Sequence, residues 1–462
     1  MTISFSRPSR IDALTTAVRG SVITPGDTRY ETAAAAWNLA WTHRPAAVVV
    51  PADEDDVVVT LAYARQLGLS VAVQTTGHGV VVPADEQSIL MVMSAFDGVR
   101  IDPAARTATM GGGVTWRPVL AAAQEHGLAP LLGSAPHVGA VGYTVGGGTG
   151  WLARHYGLAV DSVRSLRVVL ADGRVVVATA ESSPELFWGL CGAGGGTLGV
   201  IVEMTVALAP VDEVYAGNLF YPVDAALDVF DRFRTRTADA PTELTSAFNI
   251  TAFPPLDIVP EPLRGQTFAI FRGCHSGDLA EGKAMVDEWR RWRSPLLDTF
   301  GVLPFARCAE ISQDPVDPLP AATSGRWLHE AGTNVGEAMI DAVVGDQPPS
   351  PVLFAELRHA GGAISTPNPH VSFDARTGAY VLELVGLIMS PEADVELEQR
   401  FGHTWERLAE NLATLPGYLN FTEGQERHAL ARHAFAAGTR DRLARLKQDV
   451  DPSGIFRHGI GL

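Results

Sequence analysis

Three glycine-rich segments constrain this chain more than any other feature: TTGHG (75–79), GSAPHVGAVGYTVGGGTGWLARHYGL (133–158) and GAGGGTLGVIVEM (192–204). Glycine lets backbone approach a ligand closely, and a turn of bare N–H groups can cradle a pyrophosphate without a basic side chain. That matters here, because the only lysines are Lys283 and Lys447, and neither follows a glycine loop as a Walker motif requires. Gly194-x-Gly196-x-x-Gly199 fits GxGxxG literally. A Rossmann site, however, needs a strand before that motif and a helix after it. Here the helical PELFWGL precedes and the extended GVIVEM follows, so no helix dipole is available to hold phosphates.

The flanking pattern is mixed α and β. Residues 46–74 read as strand, helix, strand, with Asp53 starting the helix, Glu54, Asp55 and Asp56 in its first turn and Gly68 closing it. This is a βαβ unit, and it predicts some parallel sheet. Strands follow at SILMVM, VRID and RTATM, then a helix over 115–126. SLRVVLADGRVVVAT predicts a hairpin around Asp172-Gly173, and GVIVEMTVALAP a long strand ending at Pro210. After Pro210 the texture changes to longer strands such as YVLELVGLIM, an amphipathic helix near 278–293 and a Pro-rich connector. Residues 425–449 read as a helical tail.

The bulk properties exclude several partners. A chain of 462 residues is too long for one ordinary core. A net charge of −17 argues against nucleic-acid or anionic-membrane partners, which need a basic footprint. Cys191, Cys274 and Cys308 form neither a disulfide framework nor a CxxC metal site. His126, His275, His403, His428 and His433 lack metal-ligand spacing, so no metal is assigned. The first twenty residues lack an apolar signal core, and the run Tyr380 to Met389 is interrupted by Glu383 and too short to span a bilayer. A cytoplasmic location is expected on that basis.

Taken in order, strand–TTGHG, GSAPxVGxxGYTxGGGxGxLxRxYGL, the DG hairpin and PELFWGLxGxGGxxGVI resemble the berberine-bridge-enzyme-like FAD-linked oxidases of the vanillyl-alcohol-oxidase/PCMH superfamily. Tyr418-Leu-Asn420-Phe421 and RLARLKQDVDPSGIFRH resemble that family's C-terminus. The likeness is strong over 45–210 and 415–458 and thin between. It implies an α+β protein: a PCMH-type FAD-binding lobe of two α/β subdomains (1–210), a substrate lobe with an antiparallel sheet backed by helices (211–412), and a C-terminal segment (413–462) returning to the FAD lobe.

The resemblance also implies site residues. His78 matches the histidine that bonds the flavin 8α carbon, a role that suits a neutral imidazole nucleophile. Its neighbours Thr75, Thr76, Gly77 and Gly79 are expected around the cofactor. So are Gly133, Ser134, Val138, Gly139, Gly142, Tyr143, Gly146, Gly147, Gly148, Gly150 and Trp151 of the second segment, Gly199, Val200 and Val202 of the third, and Asn420. His137, Tyr143 and Trp151 line the flavin or substrate on this view, or are plain core aromatics. Asp161 reads as a structural Asx turn rather than a ribose ligand.

Three positions depart from the family pattern. The common RGGGHS loop is QTTGHG here, so its cation is missing. Ala135 stands where many relatives carry a second flavin-linking cysteine, which implies a singly linked flavin. Gly459 and Gly461 replace the usual terminal asparagines.

For chemistry, Glu356 and Arg358 share one face of a strand, with His359 on the other, and are either substrate-facing or a surface ion pair. Tyr418 and Asn420 read as sharing a face. Tyr418 or Glu356 is the expected base, with Arg358 and Asn420 assisting. The implied reaction is oxidation of a small alcohol, sugar or secondary metabolite by hydride transfer to FAD, with O2 as acceptor and hydrogen peroxide as product. An oxygenase of a natural-product pathway, or a flavin-binding protein without catalysis, remains open. Oligomeric state is unreadable.

Overall fold

The computed structural model describes residues 8–257, 259–345 and 350–462. The first seven residues, on which the reading of the N-terminus partly rests, lie outside them.

Two small sheets form the first half. Strands β1 (Ser21–Ile23), β2 (Ala47–Val50), β3 (Ser70–Gln74) and β4 (Ser88–Val92) make a sheet of order β1-β2-β4-β3. The predicted βαβ unit is present, but β4 inserts between its two strands and pairs parallel to both. Its helix, Glu54–Leu67, starts where Asp53 accepts a hydrogen bond from the Asp56 N–H and stops at Gly68 in the left-handed region, φ 67°. Such an N-cap contributes about 1 kcal/mol. Strands β5 (Val99–Asp102), β6 (Thr107–Gly111), β7 (Val163–Val169), β8 (Val175–Ala178) and β9 (Val200–Ala207) make an antiparallel sheet of order β5-β6-β9-β7-β8. The β7–β8 hairpin turns through Gly173 at φ 90°. Val57 and Leu61 of the Glu54–Leu67 helix and Val71 of β3 pack with Val169, Val200 and Val202 from the second sheet in one core.

The second half is built on nine strands: β10 (Glu213–Pro222), β11 (Leu244–Ala252), β12 (Thr267–His275), β13 (Leu297–Asp298), β14 (Gly301–Pro304), β15 (Ala321–Leu328), β16 (Val352–His359), β17 (Tyr380–Leu387) and β18 (Leu412–Gly417). Their order is β13-β10-β12-β11-β16-β17-β15-β18, with β14 also on β10, and every pairing is antiparallel. Alternation divides the sheet's residues between its faces. Leu357, Leu382 and Leu384 point to one side and bury against helices Ala226–Thr237, Thr333–Val343 and Pro391–Arg407 through Phe230, Met339 and Leu397. Val381 and Trp327 point to the other side and join the core of the five-stranded subdomain.

The chain leaves the large sheet after β18, just past the boundary expected at 412. The tail is two helices, Gly424–Ala434 and Ala437–Val450, broken at Phe435-Ala436 where one was expected. It runs back onto the first half. Lys447 Nζ donates to the Thr197 carbonyl, to Asp451 and to the Phe456 carbonyl, the last two at 2.8 Å. The Val71 N–H donates to the Ile455 carbonyl at 2.7 Å.

Candidate active site

The first glycine segment turns sharply as it leaves β3. Gly77 has φ 77°, and a Cβ there would strike Ala36. The Trp37 and Asn38 N–H groups bond the Thr76 and Gly77 carbonyls. This turn presents His78, whose ring stacks on Trp37 at 4.2 Å and lies 5.1 Å from that of His137. His78 Nδ1 hydrogen-bonds the Thr76 hydroxyl at 2.7 Å, while Nε2 is buried with no partner. Burial, and secondarily His137, push the imidazole down to about 3, so it is neutral near pH 7.

His78 opens into a cleft of about 1240 Å³, mouth included, between the two small sheets. Of the expected cofactor residues, Thr75, Thr76, Gly77, His78, Gly79, Val138, Gly139, Gly142, Tyr143 and Asn420 line it. The others do not. Gly133 and Gly148 pack against the Tyr143 ring, Gly147 against Phe373 and Gly150 against the Leu132 carbonyl; Gly146 abuts the Asn420 amide. Ser134 and Ala135 line a separate cavity of about 660 Å³ with Arg117, His137 and Asp314. Gly199 packs on Val168, and Val200 and Val202 fill the core. Strand parity gives the cleft to Ile201 instead.

Several lining residues escaped the sequence reading: His43, Gln74, Gly112, Gly195, Gly196, Arg427, His458 and Gly459. His43 Nε2 is buried without a partner. Arg427 supplies a cation that the loop itself lacks. Gly459, one of the two glycines at the expected asparagine positions, is a wall of the cleft. Exposed backbone at the glycine turns, one buried guanidinium and an unpartnered imidazole nitrogen are the donor set that a flavin dinucleotide requires. The residues present fit FAD.

The face of the large sheet turned toward the first half carries a polar cluster. Glu356 is buried and bonded to two guanidiniums, Arg358 at 2.5 Å and Arg272 at 2.6 Å. The pair is therefore interior rather than superficial, and His359 on the opposite parity bonds Arg154. Burial raises the Glu356 carboxyl, but Arg358 and Arg272 outweigh it and hold it below the ordinary range. Arg358 also reaches the Thr149 carbonyl and lies over Trp151 at 4.6 Å, so Trp151 sits in the seam between the halves. Tyr418 is fully buried, packs against Trp327 with ring centroids 5.1 Å apart and planes tilted by 58°, and its hydroxyl has no hydrogen-bond partner. Burial pushes it up to about 12. Tyr418 and Asn420 do not share a strand face, because β18 ends at Gly417 and 419–421 form a 3-10 turn; Asn420 Nδ2 instead donates to the Tyr143 carbonyl at 2.8 Å. Asp161 accepts from the Leu158 N–H and pairs with Arg376, a structural role.

A second carboxyl went unassigned from sequence. Glu383 pairs across strands with Glu356, and its side chain has no hydrogen-bond partner among the described residues. Burial, then the charges of Glu356, Asp314 and Glu423, raise it to about 8 despite Arg358.

Residues 45–179 match the family model described as an FAD binding domain. The chain is 24% identical over 458 residues to (R)-6-hydroxynicotine oxidase of Paenarthrobacter nicotinovorans, covering 96% of this chain and 97% of that protein. The chain is an FAD-linked oxidoreductase, and its fold is that of the berberine-bridge-like enzymes. Solved structures agree on the fold of this oxidoreductase. Berberine bridge enzyme from Eschscholzia californica superposes with a TM-score of 0.82 at 20% identity, covering 97% of this chain and 98% of that one. Wild-type BBE-like 1 of Physcomitrella patens gives 0.83 at 19% identity, covering 96% and 97%. Among the described residues, no helix of the oxidoreductase is long and apolar enough to cross a membrane.

Proposed function

We propose that this oxidoreductase holds FAD through a single covalent bond from His78 and oxidises a small hydroxyl- or amine-bearing organic molecule, with O2 as the second acceptor. On this reading residues 1–210 and 413–462 hold the cofactor and 211–412 the substrate. The observation that carries it is the buried, unpartnered Nε2 of a neutral His78 at the wall of the cleft. Ala135 leaves no thiol for a second link. When bound, FAD supplies a two-electron acceptor for hydride from substrate and returns those electrons to oxygen, yielding hydrogen peroxide.

The chain's own residues supply binding and proton transfer. Substrate lies between the cleft and the polar face of the large sheet. Its O–H or N–H proton passes to Glu383, the carboxyl left without a cation of its own. Glu356 is a poor acceptor, because Arg272 and Arg358 already satisfy it. Tyr418, with its phenol near 12, orients substrate through its free hydroxyl.

The test is colour and mass. The purified protein should be yellow, fluoresce on a denaturing gel and carry the added mass of one FAD. His78→Ala should lose the gel fluorescence. Covalent flavin persisting in that variant would refute the assignment. A substrate screen read by peroxide release then names the donor.

A further inference from the structure

Arg427 is 92% removed from solvent, at 8% exposure, and lines the cofactor cleft. Among the described residues it has no ion pair. Its single side-chain hydrogen bond is a long one, Nη1 to the Gly79 carbonyl at 3.4 Å, and its Nε has no partner. The carboxyl one turn earlier, Glu423, which burial pushes up to about 7, accepts from Asn38 Nδ2 at 2.5 Å and Trp41 Nε1 at 3.2 Å and makes no hydrogen bond to Arg427. Burial lowers Arg427 to about 10, with Glu423 and Tyr418 partly opposing it, so it stays cationic near pH 7. A buried guanidinium without an anion is costly, and such charges are normally paired.

The surroundings say where the anion belongs. A Cβ at Gly79 would meet Arg427 Nη1 at 2.8 Å, and one at Gly194 would meet Nη2 at 3.8 Å. The guanidinium thus stands between two glycine turns, one from each small subdomain. The helix that carries it, Gly424–Ala434, is fastened to the same place by the Gly424 N–H on the Val80 carbonyl at 3.0 Å. Elsewhere the cleft wall is mostly backbone and neutral side chains.

We propose that Arg427, delivered from the C-terminal segment, is the counter-charge for the pyrophosphate of the cofactor and replaces the cation missing from the QTTGHG loop. This rests on the reading that FAD occupies the cleft. A colourless parent protein would sink that reading by itself, before Arg427 is touched.

The test uses equilibrium binding in place of activity. In a His78→Ala background, where flavin is held non-covalently, the dissociation constants of FAD and of riboflavin are measured by calorimetry. Arg427→Gln should weaken FAD by about tenfold or more and riboflavin by less than about threefold, since only FAD carries the pyrophosphate. Arg427→Lys keeps the charge but not the planar fork, so it should lose less FAD affinity than Arg427→Gln and leave riboflavin within about threefold of the parent. It also serves if the Gln variant fails to fold. Equal weakening of both ligands in either variant, or unchanged FAD affinity in the Gln variant, would each overturn the proposal.

Discussion

Glu356 and Glu383 stand directly opposite one another on β16 and β17, two carboxyls in register on one face of an antiparallel sheet. Like charges so placed destabilise a sheet. The structure resolves the conflict unequally: Arg272 and Arg358 take Glu356, and Glu383 keeps its proton to about 8.

The first prediction is a pH profile. If Glu383 accepts the substrate proton, it works only as the carboxylate. The rate of anaerobic flavin bleaching should therefore rise with pH through about 8. Glu383→Gln should lower that rate by about 10²–10³ and flatten the profile. A profile unchanged in the variant would move the base elsewhere.

The same group sets a stability window. Between the ordinary carboxyl range and about 8, folded Glu383 binds a proton that the unfolded chain has released. Its contribution is complete at low pH and is lost as pH rises through that window. The thermal stability of Glu383→Gln relative to the parent should therefore rise progressively from pH 5 to pH 9, roughly following that window.

Arg358→Met tests the other half of the cluster. It strips one cation from buried Glu356 and the contact with the Thr149 carbonyl. A loss of about 3 kcal/mol is expected, read by denaturant unfolding at pH 7. A change under about 0.5 kcal/mol would mean Arg272 alone suffices.

Thr76 is expected to act on flavin attachment. The Thr76 hydroxyl is the one partner of Nδ1, and in the tautomer in which Nδ1–H donates to it the lone pair stays on Nε2. Thr76→Val should slow covalent incorporation by about tenfold, followed as gel fluorescence after adding FAD to apoprotein. Incorporation at the parent rate would show that the tautomer is fixed otherwise.

Local signals were legible in the sequence. Asp53, Gly68 and Gly173 fixed a helix start, a helix stop and a turn because each acts through its own backbone. The ordered glycine segments located the cleft and His78. Membership of the cleft was less legible, because glycine serves close packing as readily as ligand approach: Gly147 makes room for Phe373, and Gly150 for the Leu132 carbonyl. Val200 and Val202, expected from the resemblance, point into the core, and Ile201 between them lines the cleft. Glu383 looked like a blemish in an apolar strand until register placed it opposite Glu356. Arg427 had no local signal at all, since its meaning lies in a contact made across the whole chain.

The position of Arg427 fixes an order of events in synthesis. It follows Gly79, against which it rests, by 348 residues, and the large sheet is made in between. A nascent chain that has displayed His78 still lacks one wall of the chamber. If FAD occupies the cleft as proposed, its capture waits until the large sheet has been made and the tail has folded back, and yellow colour would mark a chain that has completed that journey.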